Sequence, residues 1–487
     1  MLRAARKLSM GKNMTVTSGT LDAVLQNVDA NLDTSVSSLF EILRIPSIST
    51  QPAHAADCRK AAAWMQQALE NLGMTATLRD VHWAAPGHPM VVGHDAAAEG
   101  KDERPHVLFY GHYDVQPTDP ETLWNAPPFD PRLIEDASGR KVIVARGASD
   151  DKGQVMTFLE ACRAWKDVTG SLPVRVSVLL EGEEECGGAN LYPFLKENVA
   201  ELKADVVLVC DTSMADRNTP GITTSLRGMM AEEVVIQCAS HDLHSGLYGN
   251  AAANPIAVLC QALATLRTAD GGVTLPGFYD GIREPAAATR AQWSHLFPDD
   301  ASLLHEAGLA IAAGEKGYSA IEQTWCRPSC EINGISGGYE GEGFKTVLPA
   351  KAMAKVSFRL VPGQDPDRIR ETFRAHIRAA LPQDATVTFT AHGGSPGFEV
   401  SRDSRFLGLA LKALSDEWGV PAATVGSGGS IPVAGEVRDA LGLDALMIGF
   451  AQNDDRIHSP NEQYGLDSFH KGIRSWVRVL AALADAG

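Results

Sequence analysis

The apolar run Val107–Tyr110 passes through Gly111 into His112 and, two residues on, Asp114. If the chain stays extended there, the imidazole and the carboxylate face the same side. Both groups ligate divalent cations, and both can move protons. Three more buried-type runs end in acid: Lys141–Ala145 before Asp150 and Asp151, Val174–Leu180 before Glu181, Glu183, Glu184 and Glu185, and Val206–Val209 before Asp211. A later run, Ala445–Ala451, leads into a loop holding His458. An isolated H-x-D is equally a packed ring beside a turn-capping carboxylate, and most acidic runs are solvated loops. Four such ends converging on one place would repel one another unless a counter-charge of about the size of two divalent cations lay among them.

The elements that must position these residues follow from the pattern. Helical spacing covers 21–44, ending before Pro46, and Asp57–Met74, with Asp57 as a cap and Gly73 as a stop. Strands are expected over TATLRDV, over HPMVVGHD from His88, and at 107. A long helix opens at Asp150–Asp151 and runs to about Trp165. Strands alternating with helices predict an α/β fold with a mostly parallel sheet flanked by helices. In such sheets ligands bind at the C-terminal strand ends.

Near Gly228 the pattern changes to amphipathic strands: MMAEEVVIQCAS, a strand pair within 335–364, a helix over PDRIRETFRAHIRAAL, and a closing strand ATVTFTAHGG. This series reads as an inserted α+β sandwich, with a loop-rich stretch over roughly 270–330. The expected organisation is a first domain over 1–227 and 392–487, interrupted by an inserted domain over 228–391. ATVGSGGSIPVAGE reads as a Gly/Ser-rich loop entering a helix, a candidate anion-binding turn.

Composition excludes several classes. A net charge of −17 without a basic stripe argues against nucleic acid. No run reaches the length of a membrane span. The eight scattered cysteines form no paired CxxC array, which argues against a cysteine–zinc site and for free thiols in a reducing, cytoplasmic compartment. The first 20 residues lack an apolar core for secretion and are expected to be a disordered leader, with Met10 or Met14 as alternative starts.

Taken together, GHYDVQP, ARGASDDKGQ, EGEEECGG, DLHSG, VSFRLVPGQ, GGSIPV and IHSPNE resemble, in order, the motifs of the carnosinase, acetylornithine deacetylase and carboxypeptidase G family of dinuclear zinc hydrolases. The resemblance covers about residues 36–480 and is nearest to the carnosinase-like dipeptidases. It implies a dizinc exopeptidase fold whose inserted domain is a lid and a homodimerisation surface. It implies two divalent ions, Zn2+ by preference with Mn2+ or Co2+ as alternatives. His112 and Asp211 would hold one, Glu185 and His458 the other, and Asp150 both. Asp114 would orient His112, and Glu184 would be the general base toward a water shared by the metals. The Asp150–Asp151 peptide would be cis. His244, Arg359, Gly429 and Ser430 would bind substrate, and Asn333 and Thr346 match substrate-contacting positions more loosely. Glu183 is expected to be solvated or to support the site. The implied activity is hydrolysis of dipeptides or related aminoacyl amides, with N-acyl-amino-acid deacylation as the alternative. A metal-free scaffold would lack ligands or base, and none of the candidates is missing.

Overall fold

The computed structural model describes residues 16–84, 86–97, 103–401, 403–429 and 431–486. Two compact units divide the chain: one comprises residues up to Ile222 with Ser401–Ala423 and the stretch from Glu436, and the other Thr223–Val400 with Thr424–Gly435.

In the first unit, Thr75–Arg79, Met90–His94, Arg175–Glu181, His106–His112, Val206–Val209 and Ala445–Ile448 lie side by side in that order. The first two strands run antiparallel, and the last four are mutually parallel. The parallel strands are almost wholly buried because helices cover both faces, which is why their sequences read as continuous apolar runs. Register places His112 opposite Glu181. His112 and the loops carrying Glu184–Glu185 and Asp211 therefore lie at neighbouring strand ends.

The structure corrects several expectations. Lys141–Val144 is not in the parallel sheet; it sits in a separate three-stranded antiparallel sheet between Gln463–Gly465 and Arg132–Glu135. Asp150 thus reaches the strand ends from a loop preceding the helix Lys152–Thr169, not from a sheet strand. Asp57 does not cap its helix; the helix starts at Ala55 and Asp57 lies in its first turn. Helix Ser18–Ala30, capped by Thr17, begins inside the segment expected as a leader, of which residues 1–15 lie outside those described. The 270–330 stretch contains the helices Ala287–Leu296, Ala301–Leu304 and Ala320–Trp325.

The core of the first unit is aromatic where the long helices meet the sheet. Phe109 stacks on Phe158 at 3.8 Å, and Trp476, from the helix Leu466–Ala484, meets Phe109, Phe158 and Phe450 edge-on. The Trp476 indole N–H donates to Thr157 Oγ1 at 3.0 Å, so its one polar atom is satisfied inside the core.

In the second unit, Ser329–Gly337, Lys351–Leu360, Gly228–Gln237 and Thr386–Ser395 form an antiparallel sheet in that order. Gly228–Gln237 alternates buried and half-buried side chains along its whole length. Its buried side shares a core with residues of the helices Pro255–Ala264 and Pro366–Ala379, including Leu259, Ile369 and Phe373. Asn254 and Asp365 cap those helices, each followed by a proline at the first turn. No helix among the described residues is long and apolar enough to cross a membrane.

Trp476→Ala should destabilise the first unit by about 3–5 kcal/mol through cavity formation and loss of ring contacts. A lowered urea midpoint for that unit's unfolding transition would show it.

Candidate metal centre

His112, at the end of its strand, is fully buried, and so is Asp114. His112 Nδ1 lies 3.4 Å from Asp114 Oδ1 and 3.1 Å from the Asp114 carbonyl. The other Asp114 oxygen accepts the Glu185 N–H at 3.1 Å. One carboxylate therefore steers the imidazole and pins the adjacent acidic turn. On its far side, His112 Nε2 is 3.1 Å from Asp150 Oδ1 and 3.9 Å from Asp211 Oδ2. Asp150 Oδ2 faces His458 Nε2 at 2.8 Å, and His458 Nε2 is 3.2 Å from Glu185 Oε2.

Two sets of side chains thus offer ligand atoms all within 4.8 Å of one another: His112, Asp150 and Asp211, and Asp150, Glu185 and His458. Asp150 belongs to both, one oxygen turned to each imidazole. The donors are nitrogen and oxygen with no thiolate, a set suited to zinc, cobalt or manganese.

Electrostatics point the same way. Burial pushes the Asp211 carboxyl well above its ordinary range, with Asp150, Glu184 and Glu185 adding repulsion against the nearby His112. Burial also raises Glu184, with Glu185, Asp150 and Asp114 adding to it and His112 opposing. Burial alone would lower the basicity of His112, but hydrogen bonds to Asp114 and Asp150 override it and hold the ring well above its usual value. His458 is raised to about 10 by its contacts with Asp150 and Glu185. The carboxylates are in excess over the imidazoles, and cations at the two triads would offset that excess.

Local backbone makes this approach possible. A Cβ on Gly111 would come within 2.5 Å of Val155 and 2.9 Å of Asp151 Oδ2. His458 sits at φ 61°, a left-handed conformation that non-glycine residues seldom adopt outside functional sites. The Asp150–Asp151 peptide is cis. Glu184 occupies the single turn Glu184–Cys186 and makes no side-chain hydrogen bond among the described residues. Glu183, in contrast, is not solvated: it is buried, and accepts from Asn190 Nδ2 at 2.9 Å and the His88 N–H at 3.2 Å.

The second unit carries the remaining candidates in separate groups. His244 and Thr346 are neighbours, since Leu243–His244 pairs with Val347–Leu348 and the Ser245 N–H donates to the Thr346 carbonyl at 3.0 Å. Arg227 sits near Arg359 and beside the turn that leads into Gly429. The Arg227 Nε donates to the Gly428 carbonyl at 3.2 Å, and its basicity falls to about 10 through burial and then the Arg359 charge. Asn333 is the extra residue at a register break between Ile332 and Gly334. Ser430 lies outside the described residues.

Residues 108–482 match the model described as Peptidase family M20/M25/M40. The chain belongs to this family. It is 29% identical over 476 residues to the Cys-Gly metallodipeptidase dug1 of Schizosaccharomyces pombe, covering 95% of this chain and 98% of the relative. It is 27% identical over 483 residues to the Beta-Ala-His dipeptidase of Rattus norvegicus, covering 96% of each. Among solved structures, the M20 family metallo-carboxypeptidase Sso-CP2 from Sulfolobus solfataricus superposes with a TM-score of 0.77 at 30% identity, covering 93% of this chain and 99% of that one. The family is one of divalent-metal peptidases, and this member presents the candidate ligands for such ions.

Sequence reasoning passed over several residues that hold this M20 peptidase's centre together. Gln116 donates to Glu185 Oε2 at 2.7 Å. Asp151 stands at the helix start as read, and its side chain also accepts the His112 N–H at 3.1 Å. Glu462 and Asp455 hold the Asp150 loop. Separately, in the second unit, Arg227 lies near enough to Arg359 for the two charges to interact. Gln116 and Glu462 lie inside quoted motifs, GHYDVQP and IHSPNE, which was the available signal. Nothing in the local pattern marked Arg227.

Because Asp150 is common to both triads, Asp150→Asn should weaken ion binding at both, whereas Asp211→Asn and Glu185→Gln should each weaken one. Metal-to-protein ratios after dialysis against limiting zinc would distinguish the three.

Proposed function

We propose that this chain is a metal-dependent dipeptidase that holds two divalent ions, zinc by preference. The observation that carries this is the shared Asp150 joining two imidazole–carboxylate triads in a member of a peptidase family. The dipeptidase names of the two relatives support the substrate class. His112, Asp150 and Asp211 would hold one ion, and Asp150, Glu185 and His458 the other. When bound, the ions supply polarisation of the scissile carbonyl and a water acidic enough to attack at neutral pH.

The chain's own residues do the rest. Glu184 is the general base: it takes a proton from the attacking water and returns it to the leaving amine. The carboxylate of Asp114 fixes the ring orientation of His112. Arg359, His244, Thr346, Asn333 and the loop at Gly429 and Ser430 bind substrate, the guanidinium suiting the terminal carboxylate and the imidazole the oxyanion. No observation favours the N-acyl-amino-acid deacylase reading over the dipeptidase one.

In this reading the catalytic domain is 1–227 with 392–487, and the inserted 228–391 is a lid and a homodimer surface. Leu247, Tyr248, Ile332, Ile335, Tyr339 and Phe344 are all exposed in the second unit, an apolar supply that supports self-association. Eight free cysteines, several buried, support a reducing, cytoplasmic setting.

Chelation should abolish hydrolysis of a dipeptide panel, and added zinc should restore it; activity surviving complete metal removal would overturn the reading. Turnover restricted to N-acetyl amino acids would overturn the dipeptidase assignment. Glu184→Gln should cut kcat by about 10²–10⁴ with metal content unchanged. Loss of metal instead would make Glu184 a ligand.

A further inference from the structure

The loop from Arg146 to Asp151 carries the carboxylate shared by both triads, yet it belongs to no sheet strand or helix. Most of its side-chain contacts go to one residue from far along the chain. Glu462 is fully buried. Its Oε1 accepts the N–H groups of Ser149 at 2.9 Å and Asp150 at 3.0 Å. Its Oε2 accepts the Gly147 N–H at 3.1 Å and Arg146 Nη1 at 2.7 Å. Arg146 is itself buried and ties the assembly to the Pro117 carbonyl at 2.9 Å, just beyond the His112–Asp114 stretch. Asp455 adds a second hold, accepting the Ser149 hydroxyl at 2.9 Å.

Glu462 lies four residues beyond His458, in the loop that supplies the other imidazole. It then enters the strand Gln463–Gly465, which pairs with Lys141–Val144 immediately before the Asp150 loop. One carboxylate therefore couples the backbone of Asp150 to the loop of His458. A buried charge needing only neutralisation would be satisfied by Arg146 alone. Here one oxygen is given wholly to the two amides next to the shared carboxylate, and all four donors converge on one group.

We infer that Glu462, with Arg146, is a positioning residue that sets where Asp150 divides its oxygens between the two triads, and so acts on metal affinity and not on the proton chemistry. This rests on the dinuclear reading above. Glu462→Gln keeps the size but turns an amide NH2 toward one pair of donors, so half of the contacts are lost. The expected result is zinc dissociation constants raised about 10–100-fold at both triads, measured by competition with a chromophoric chelator. At saturating zinc, kcat and KM for a dipeptide should return to wild-type values. A residue of merely structural importance would give no such rescue.

Wild-type zinc affinity in folded Glu462→Gln would overturn the inference, as would a loss of turnover that excess zinc does not restore. If that variant fails to fold, Glu462→Asp is measured in the same way: it keeps the charge beside Arg146 but is too short to serve all four donors. If circular dichroism shows both variants unfolded without zinc, Glu462 belongs to the fold and the assignment falls. A wild-type protein that binds no zinc would overturn the dinuclear reading together with this inference. A wild-type protein that binds two ions, beside variants that bind them equally well, would overturn this inference alone.

Discussion

One carboxylate facing two imidazoles is the constraint on which the rest depends. Asp150 places one oxygen 3.1 Å from His112 and the other 2.8 Å from His458, two residues separated by most of the chain. Bringing them together concentrates Asp150, Asp211, Glu184 and Glu185 in a largely buried place. Such a cluster repels itself unless protons or cations are supplied. In this structure the histidines are driven toward their protonated forms and two of the acids toward neutrality. The same geometry without protons offers two sets of candidate cation ligands.

The fold meets that constraint by two kinds of support. Parallel strand register delivers His112, the Glu184–Glu185 turn and Asp211 from neighbouring strand ends, where hydrogen-bonded backbone fixes position. Asp150 and His458 come from loops and depend on side chains instead. The Asp150 loop is held by Glu462, which accepts main-chain N–H groups, and by Asp455, which accepts the Ser149 hydroxyl; Asp114 and Asp151 likewise accept the N–H groups of Glu185 and His112. These acids lie outside both triads and are buried, and they account for much of the buried charge around the site.

What was legible in the sequence follows the same division. The parallel strands announced themselves as apolar runs ending in acid, and the inserted sheet as strict alternation, because burial on two faces or one writes itself into hydropathy. The candidate ligands could be named since imidazole and carboxylate at strand ends are conspicuous, and the ordered motifs added His458. The position of Lys141–Val144 was not legible: a short buried run reads alike in a parallel sheet and in a small antiparallel one. Glu183 stayed open between a solvated and a supporting role for a related reason, since an acid within an acidic run gives no local sign that Asn190 and the His88 amide will bury it. The helices of the 270–330 stretch were missed because short segments broken by glycine and proline lack a sustained period.

Selectivity cannot reside in the two triads. Polarising an amide carbonyl is the same task for a dipeptide, a longer peptide or an N-acyl amino acid, and pockets reject a substrate by leaving polar groups unpaired. The discriminating groups are therefore those that meet the ends of the substrate. In the second unit, Arg227 and Arg359 lie close enough for one charge to depress the other. Among the described residues, the Arg227 side chain donates to the main-chain carbonyls of Gly428, Gln323 and Arg327. Carbonyl dipoles hold a guanidinium in place but do not cancel its charge. A guanidinium pair suits an anion, such as a peptide's terminal carboxylate. On the proposed reading, recognition of that carboxylate belongs to Arg359, and the acid chemistry belongs to the first unit.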